Sequence, residues 1–240
     1  MNRFSSFLLF STILLLFASC GWRNVRGNGN VTTSTRSHRG FTAVKTAGSF
    51  DVYVTQGSQF EVKVEAEENL LNYILTEVDG DVLEIKVKQG VNLRPRKDMK
   101  IYITAPAFRG LSIAGSGNII SSNRLSYNGT MKFSIAGSGD IQIPEVDAPE
   151  VTVKIAGSGN VEVNGSTRSA DYRISGSGDI KCSNLKAENA SVHIAGSGGV
   201  WLFASQELDV HIAGGGDVYY RGNPPQIKKR IAGSGNLVAQ

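Results

Sequence analysis

One hexapeptide, Ala114-Gly115-Ser116-Gly117-Asn118-Ile119, returns six more times in lightly edited form before the C-terminus. Its first glycine falls at Gly115, Gly137, Gly157, Gly176, Gly196, Gly214 and Gly233, a period of about twenty residues that few folds can satisfy. Two residues before each of these glycines stands isoleucine, from Ile113 to Ile231. Four before come Leu111, Phe133, Val153, Tyr172, Val192, Val210 and then Lys229. After the corner, Ile119, Ile141, Val161, Ile180, Val200, Val218 and Leu237 resume the alternation. Apolar residues two apart mark a strand with one buried face, and β-branched isoleucine suits a strand. Each repeat therefore reads as strand, glycine corner, strand, turn.

A unit this short cannot bury its apolar face alone, so neighbours must stack over a shared core. The identical phase of all copies predicts parallel, in-register coils, an all-β chain wound as a parallel β-helix with about twenty residues per coil. A propeller blade needs roughly twice that length. The glycines are expected at the corners because a sharp reversal calls for positive φ.

The regular coils occupy residues 109–240. Over 40–108 the glycine period is lost but alternation persists, at Phe50, Val52 and Val54 and again at Ile101 and Ile103. Ala47-Gly48-Ser49-Phe50-Asp51-Val52 reads as a degenerate corner, and Glu67 to Ile74 has the spacing of one short helix. This region is expected to be a β cap on the first coil. Residues 20–39 are polar and rich in Gly, Asn, Ser and Thr, a composition that predicts a flexible tether.

Residues 1–19 have the form of a secretory signal: Arg3, an apolar run from Phe7 to Phe17, then Ala18-Ser19. Leu16-Phe17-Ala18-Ser19-Cys20 resembles the lipobox of bacterial lipoproteins, with Phe17 in place of the usual leucine. The resemblance implies lipidation of Cys20, attachment of the mature chain to a membrane through acyl chains, and an exported protein of the cell envelope, at the outer membrane. The formal charge of +4 is too small to imply a nucleic-acid partner. Cys182, the other cysteine, lies on an inward column and is expected to be an inert, packed thiol.

The strand at Gly48-Ser49-Phe50-Asp51-Val52, then Glu67-Glu68-Asn69-Leu70-Leu71, Leu83-Glu84-Ile85 and Ile101-Tyr102-Ile103-Thr104-Ala105-Pro106, followed by iterated GSG-(D/N)-(I/V), resembles the bacterial putative auto-transporter adhesin head domain, or head GIN domain, family. The resemblance covers residues 41–240. It implies a right-handed β-helix in a secreted or lipid-anchored envelope protein, and an adhesin-like rather than a catalytic role.

Three outward columns could carry function. The corner column Asn118, Asp140, Asn160, Asp179, Asp217 and Asn236 offers oxygen ligands, but Asn and Asp also favour tight turns, and the spacing is not that of a calcium β-roll. No metal or other cofactor is expected. The column three before the glycine holds Lys154, Arg173, His193 and His211, flanked five before by Asp171 and Asp209. Those carboxylates would lie two coils, about 9.6 Å, apart, near the upper limit of about 9.5 Å for inverting glycosidases. A polysaccharide-degrading enzyme using Asp171, Asp209 and His193 is thus an alternative to a solvated ladder of paired charges. The column five after the glycine places Trp201 and Tyr219 on adjacent coils beside Lys181, an aromatic platform of the kind that anchors ligands.

The GSG motif opens a strand rather than a helix, so it offers no helix N-terminus for a phosphate. Metalloprotease, paired CxxC and nucleophile-elbow motifs do not occur. Pro224-Pro225 and the inward Lys229 guard the last strand against edge pairing, which predicts a monomer. The reading that best accommodates these features is a binding module that presents Trp201, Tyr219, Lys181, Lys154, Arg173, His193 and His211 to a glycan or to an envelope or host protein. A purely structural envelope protein is the other alternative.

Overall fold

The computed structural model describes residues 23–240. The signal segment and Cys20 lie outside them. The described chain is all-β, a solenoid of stacked parallel strands. Its first ladder runs through Val82–Val87, Ala43–Gly48, Gly110–Gly115, Thr130–Gly137 and Glu150–Gly157, then through the later coils to Gln226–Gly233, parallel at every step. A second ladder follows the corner, through Lys100–Ala105, Asp51–Gln56, Asn118–Ser121 and Asp140–Asp147 and on to Leu237–Ala239. A third, shorter ladder stacks Leu125, Val146, Gly165 and Leu185. The inward columns of all three merge into one hydrophobic cluster extending from Phe41 to Val218. Each fully buried isoleucine or valine in it is worth about 1.5–3 kcal/mol relative to exposure.

Eight corners are in register, because Gly48 pairs with Gly115 and so continues the column of seven. Gly157 shows why glycine is needed. Its φ is +135°, and a Cβ would sit 2.1 Å from the Gly137 carbonyl oxygen of the coil below. That same oxygen accepts the Ser158 N–H at 2.9 Å. The second glycine has a different requirement: Gly159 lacks positive φ, yet its Cβ would lie 2.0 Å from the Gly139 carbonyl oxygen. Close approach of coils, as much as chain reversal, fixes the motif.

Two expectations for the N-terminal part need correction. The helix over Glu67 to Ile74 is only a 3-10 turn at Leu71–Tyr73, because the chain is drawn at once into Ile74–Asp79, which pairs antiparallel with Val82–Val87. Nor are residues 23–36 a free tether. Arg23–Arg26 pairs in parallel with Val91–Arg94, and Val31–Arg36 pairs antiparallel with Glu61–Glu67. Glu67, with no exposed surface, ties the intervening turn down by accepting Gly29 N–H at 2.6 Å and Arg96 N–H at 2.7 Å. Burial pushes the Glu67 pKa up, but the N–H donors of Arg96, Gly29 and Lys97 outweigh it and leave the carboxyl below its ordinary value.

Candidate functional site

The strand before each corner alternates inward and outward, so residues three and one before the glycine share an outer face. In the first ladder this face becomes a groove of about 850 Å³. One side carries Lys45, Ser112, Ser134, Lys154, Arg173, His193, His211 and Arg230, one residue per coil. The floor is Ala114, Ala136, Ala156, Ser175, Ala195, Ala213 and Ala232, with the backbone of the isoleucine column between. Eight rungs at the strand spacing extend about 34 Å. None of the lining residues is acidic.

The cations of the rim are unequally engaged. Lys45 pairs with Glu84 at 2.8 Å, Arg173 with Asp171 at 3.0 Å, and His211 Nε2 with Asp209 at 3.2 Å. Lys154 and Arg230 have no ion pair among the described residues. The His193 and His211 rings stack with centroids 4.9 Å apart and planes 3° from parallel. Asp171 and Asp209 do sit two coils apart, with Ser191 between them. Each carboxylate faces the cationic or imidazole group two residues along its own strand, the arrangement of an outward charge ladder.

The aromatic column lies on the second ladder, around the corner from the groove. Trp201 and Tyr219 stack with centroids 5.2 Å apart at 11°. Lys181 is the ladder neighbour of Trp201, and neither aromatic lines the groove. The residues grouped from the sequence therefore lie on two separate surfaces: Lys154, Arg173, His193 and His211 come together in the groove, while Trp201, Tyr219 and Lys181 form a platform of their own. At the far end of the same column Tyr53 and Tyr102 form a second stack, 5.3 Å apart at 17°. It was hidden in the sequence because Tyr102 lies outside the repeats.

The corner Asn/Asp column spends its oxygens on neighbouring coils. Asn118 Nδ2 donates to Asp51 Oδ1 at 2.8 Å, Asn160 N–H to Asp140 Oδ1 at 2.9 Å, Gly199 N–H to Asp179 Oδ1 at 2.9 Å and Asn236 N–H to Asp217 Oδ1 at 2.8 Å. Among the described residues no group of three or more His, Cys, Asp or Glu side chains is placed to hold a metal ion. Cys182 is buried, and burial pushes its thiol up to about 12, far from a reactive thiolate.

The alanine floor escaped the sequence reading, although a signal was present. Outward positions on a β face usually vary and take polar residues, yet the one before the corner glycine is Ala47, Ala114, Ala136, Ala156, Ser175, Ala195, Ala213 and Ala232. Most of these are exposed, so packing does not demand a small residue there.

The sequence pattern of the putative auto-transporter adhesin, head GIN domain, family matches residues 40–224. No curated protein matches the chain by sequence. Among solved structures, a putative adhesin from Bacteroides fragilis is similar with a TM-score of 0.86 at 22% identity, over 90% of this chain and 100% of that one. A putative lipid binding protein from Parabacteroides distasonis is similar with a TM-score of 0.73 at 30% identity, over 91% and 100%. A putative adhesin from the same organism gives 0.71 at 23%, over 90% and 100%.

Proposed function

We propose that this chain, which belongs to the putative auto-transporter adhesin head GIN domain family, is an exported envelope protein anchored at the outer membrane through Cys20, a non-catalytic binding module. The observation that carries this reading is the groove. It is continuous over eight coils, free of acidic side chains and rimmed by Lys154, Arg173, His193, His211 and Arg230. A rigid track of this length fits an extended chain with repeated anionic groups, such as an acidic polysaccharide, bound by many weak contacts in register with the coils. The adhesin description of the family supports binding over turnover. Among the described residues no helix is long and apolar enough to cross a membrane.

A second reading has its own observation. The floor of alanine methyls is strongly apolar beside its cationic rim, which suits an acyl chain with an acidic head, and the Parabacteroides distasonis relative at 30% identity is a putative lipid binding protein. The two are separated by titrating the Cys20→Ala full chain with polygalacturonate, with vesicles containing anionic lipid, and with neutral dextran. Polygalacturonate should bind, and the double variant Lys154→Glu, Arg230→Glu should weaken it by about tenfold or more, with the loss shrinking as salt rises. Binding to the vesicles alone would favour the lipid reading. Equal binding of dextran, or indifference to the double variant, would rule out both.

A further inference from the structure

The coil carrying Lys181 and Cys182 is longer than the coil above it. Cys182 pairs with Leu202, and the next partners are Lys186 and Phe203, so Ser183, Asn184 and Leu185 have no counterpart. A smaller offset occurs against the coil below, between Glu162 and Gly165. Leu185 is buried, which leaves half-buried Ser183 and exposed Asn184 standing beside the aromatic column. Bulges of this kind re-aim side chains and are enriched next to binding sites. Here they form a cleft of about 290 Å³ bounded by Glu162, Asn164, Lys181, Ser183, Asn184 and the indole of Trp201.

The corner column breaks at the same place. Every other repeat has Asn or Asp three after the first glycine, but the repeat that carries Trp201 has Gly199. A Cβ at Gly199 would lie 2.6 Å from the outer edge of the Trp201 ring. Glycine thus makes room for the indole to lie along the corner, with the Tyr219 ring stacked on one side and the cleft on the other. Trp201 remains partly exposed.

We propose that this cleft is a second binding site, independent of the groove, for an uncharged pyranose residue. An aromatic wall matches the C–H face of a sugar ring, and the amides of Asn164 and Asn184 with the Ser183 hydroxyl supply both donors and acceptors for ring hydroxyls. Glu162 and Lys181, neighbours across the ladder, balance each other in charge. The cleft therefore lacks the excess cation of the groove, and Glu162 disfavours an acidic sugar.

The test uses the full chain carrying Cys20→Ala and Trp22→Phe, which leaves Trp201 as the only indole, since the sequence has two tryptophans. Its emission is titrated with cellotriose, mannotriose and chitotriose up to about 10 mM. At least one should give a saturable change, which Asn184→Ala weakens by about fivefold or more and Lys154→Glu leaves unaltered. Calorimetry of the chain bearing Trp201→Phe should show weakened binding with the circular dichroism spectrum retained, which separates loss of the site from loss of the fold. No saturable response to any of the three sugars overturns the proposal. So does a response that persists in Asn184→Ala. Loss of the response with Lys154→Glu would place the sugar in the groove and reject a second site.

Discussion

The two ends of the solenoid solve the same problem differently. At the N-terminal end the parallel stack is closed by strands that reverse direction: Ile74–Asp79 on Val82–Val87, Glu61–Glu67 on Lys100–Ala105, and Val31–Arg36 on Glu61–Glu67. Buried Glu67 and the ion pair of Arg109 with Asp81, at 2.5 Å, fasten this region by specific polar contacts. That pairing and the Thr42 hydroxyl hold the Asp81 carboxyl down at about 2. At the other end Gln226–Gly233 is exposed at all eight positions, with Ile227 at 43% and Ile231 at 37% where their equivalents one coil down are buried. Lys228, Lys229 and Arg230 occupy this strand. One end is shielded by structure and the other by charge, a recognised device against edge pairing.

The contrast can be sharpened by substitution. The largest effect is expected at the corners. Gly157→Ala meets both positive φ and a backbone oxygen of the coil below, and should prevent folding or cost more than about 4 kcal/mol. Gly48→Ala has a similar φ of +141° but meets only the Phe50 ring, at 2.9 Å, and should cost markedly less in urea denaturation. Equal losses at the two positions would mean that φ alone, and not coil contact, fixes the corner.

Next, Glu67→Gln should cost about 2–3 kcal/mol, because the amide keeps only one, neutral, acceptor oxygen and sets its NH2 donor against N–H groups that the other carboxylate oxygen accepts. Because the folded-state pKa of Glu67 is lowered, its contribution is complete above the ordinary carboxylate value and disappears as pH falls through the lowered one. Stability to urea should therefore fall less steeply between neutral and acid pH in Glu67→Gln than in the parent chain. On the Gln226–Gly233 strand, Lys229→Val should increase concentration-dependent self-association in sedimentation velocity, whereas Lys154→Val, on the groove face, should not. The smallest effect is expected at Thr46, which occupies the isoleucine column with its hydroxyl buried and without a hydrogen-bond partner among the described residues. Thr46→Val should raise stability by about 1 kcal/mol.

What could be read from the sequence follows from where the information resides. The coils were legible because one strand's alternation is repeated with the same phase, and Ile113 through Ile212 are buried where the period places them. The capping region was less legible because its order comes from partners far apart in the chain. Asn28 N–H donates to Asn69 Oδ1 across 41 residues, and Gly29 N–H to Glu67 across 38. Nothing local to Gly27-Asn28-Gly29-Asn30 announces those contacts, so composition suggested a tether. The period gives the ladder register of the outward columns coil by coil, but their separation into a groove and a platform depends on the corner that lies between them. The bulge beside Trp201 came from unequal coil lengths, which a motif alignment absorbs silently.

The most direct test of the account is a block placed midway along the groove floor. Ala156 is exposed and lines the groove at its centre, so Ala156→Trp fills the track without entering the core. Calorimetry of the Cys20→Ala chain with polygalacturonate, with and without Ala156→Trp, should show binding reduced by about tenfold or more at unchanged thermal stability. Undiminished binding by a blocked, fully folded chain would contradict the assignment of the groove as the binding site.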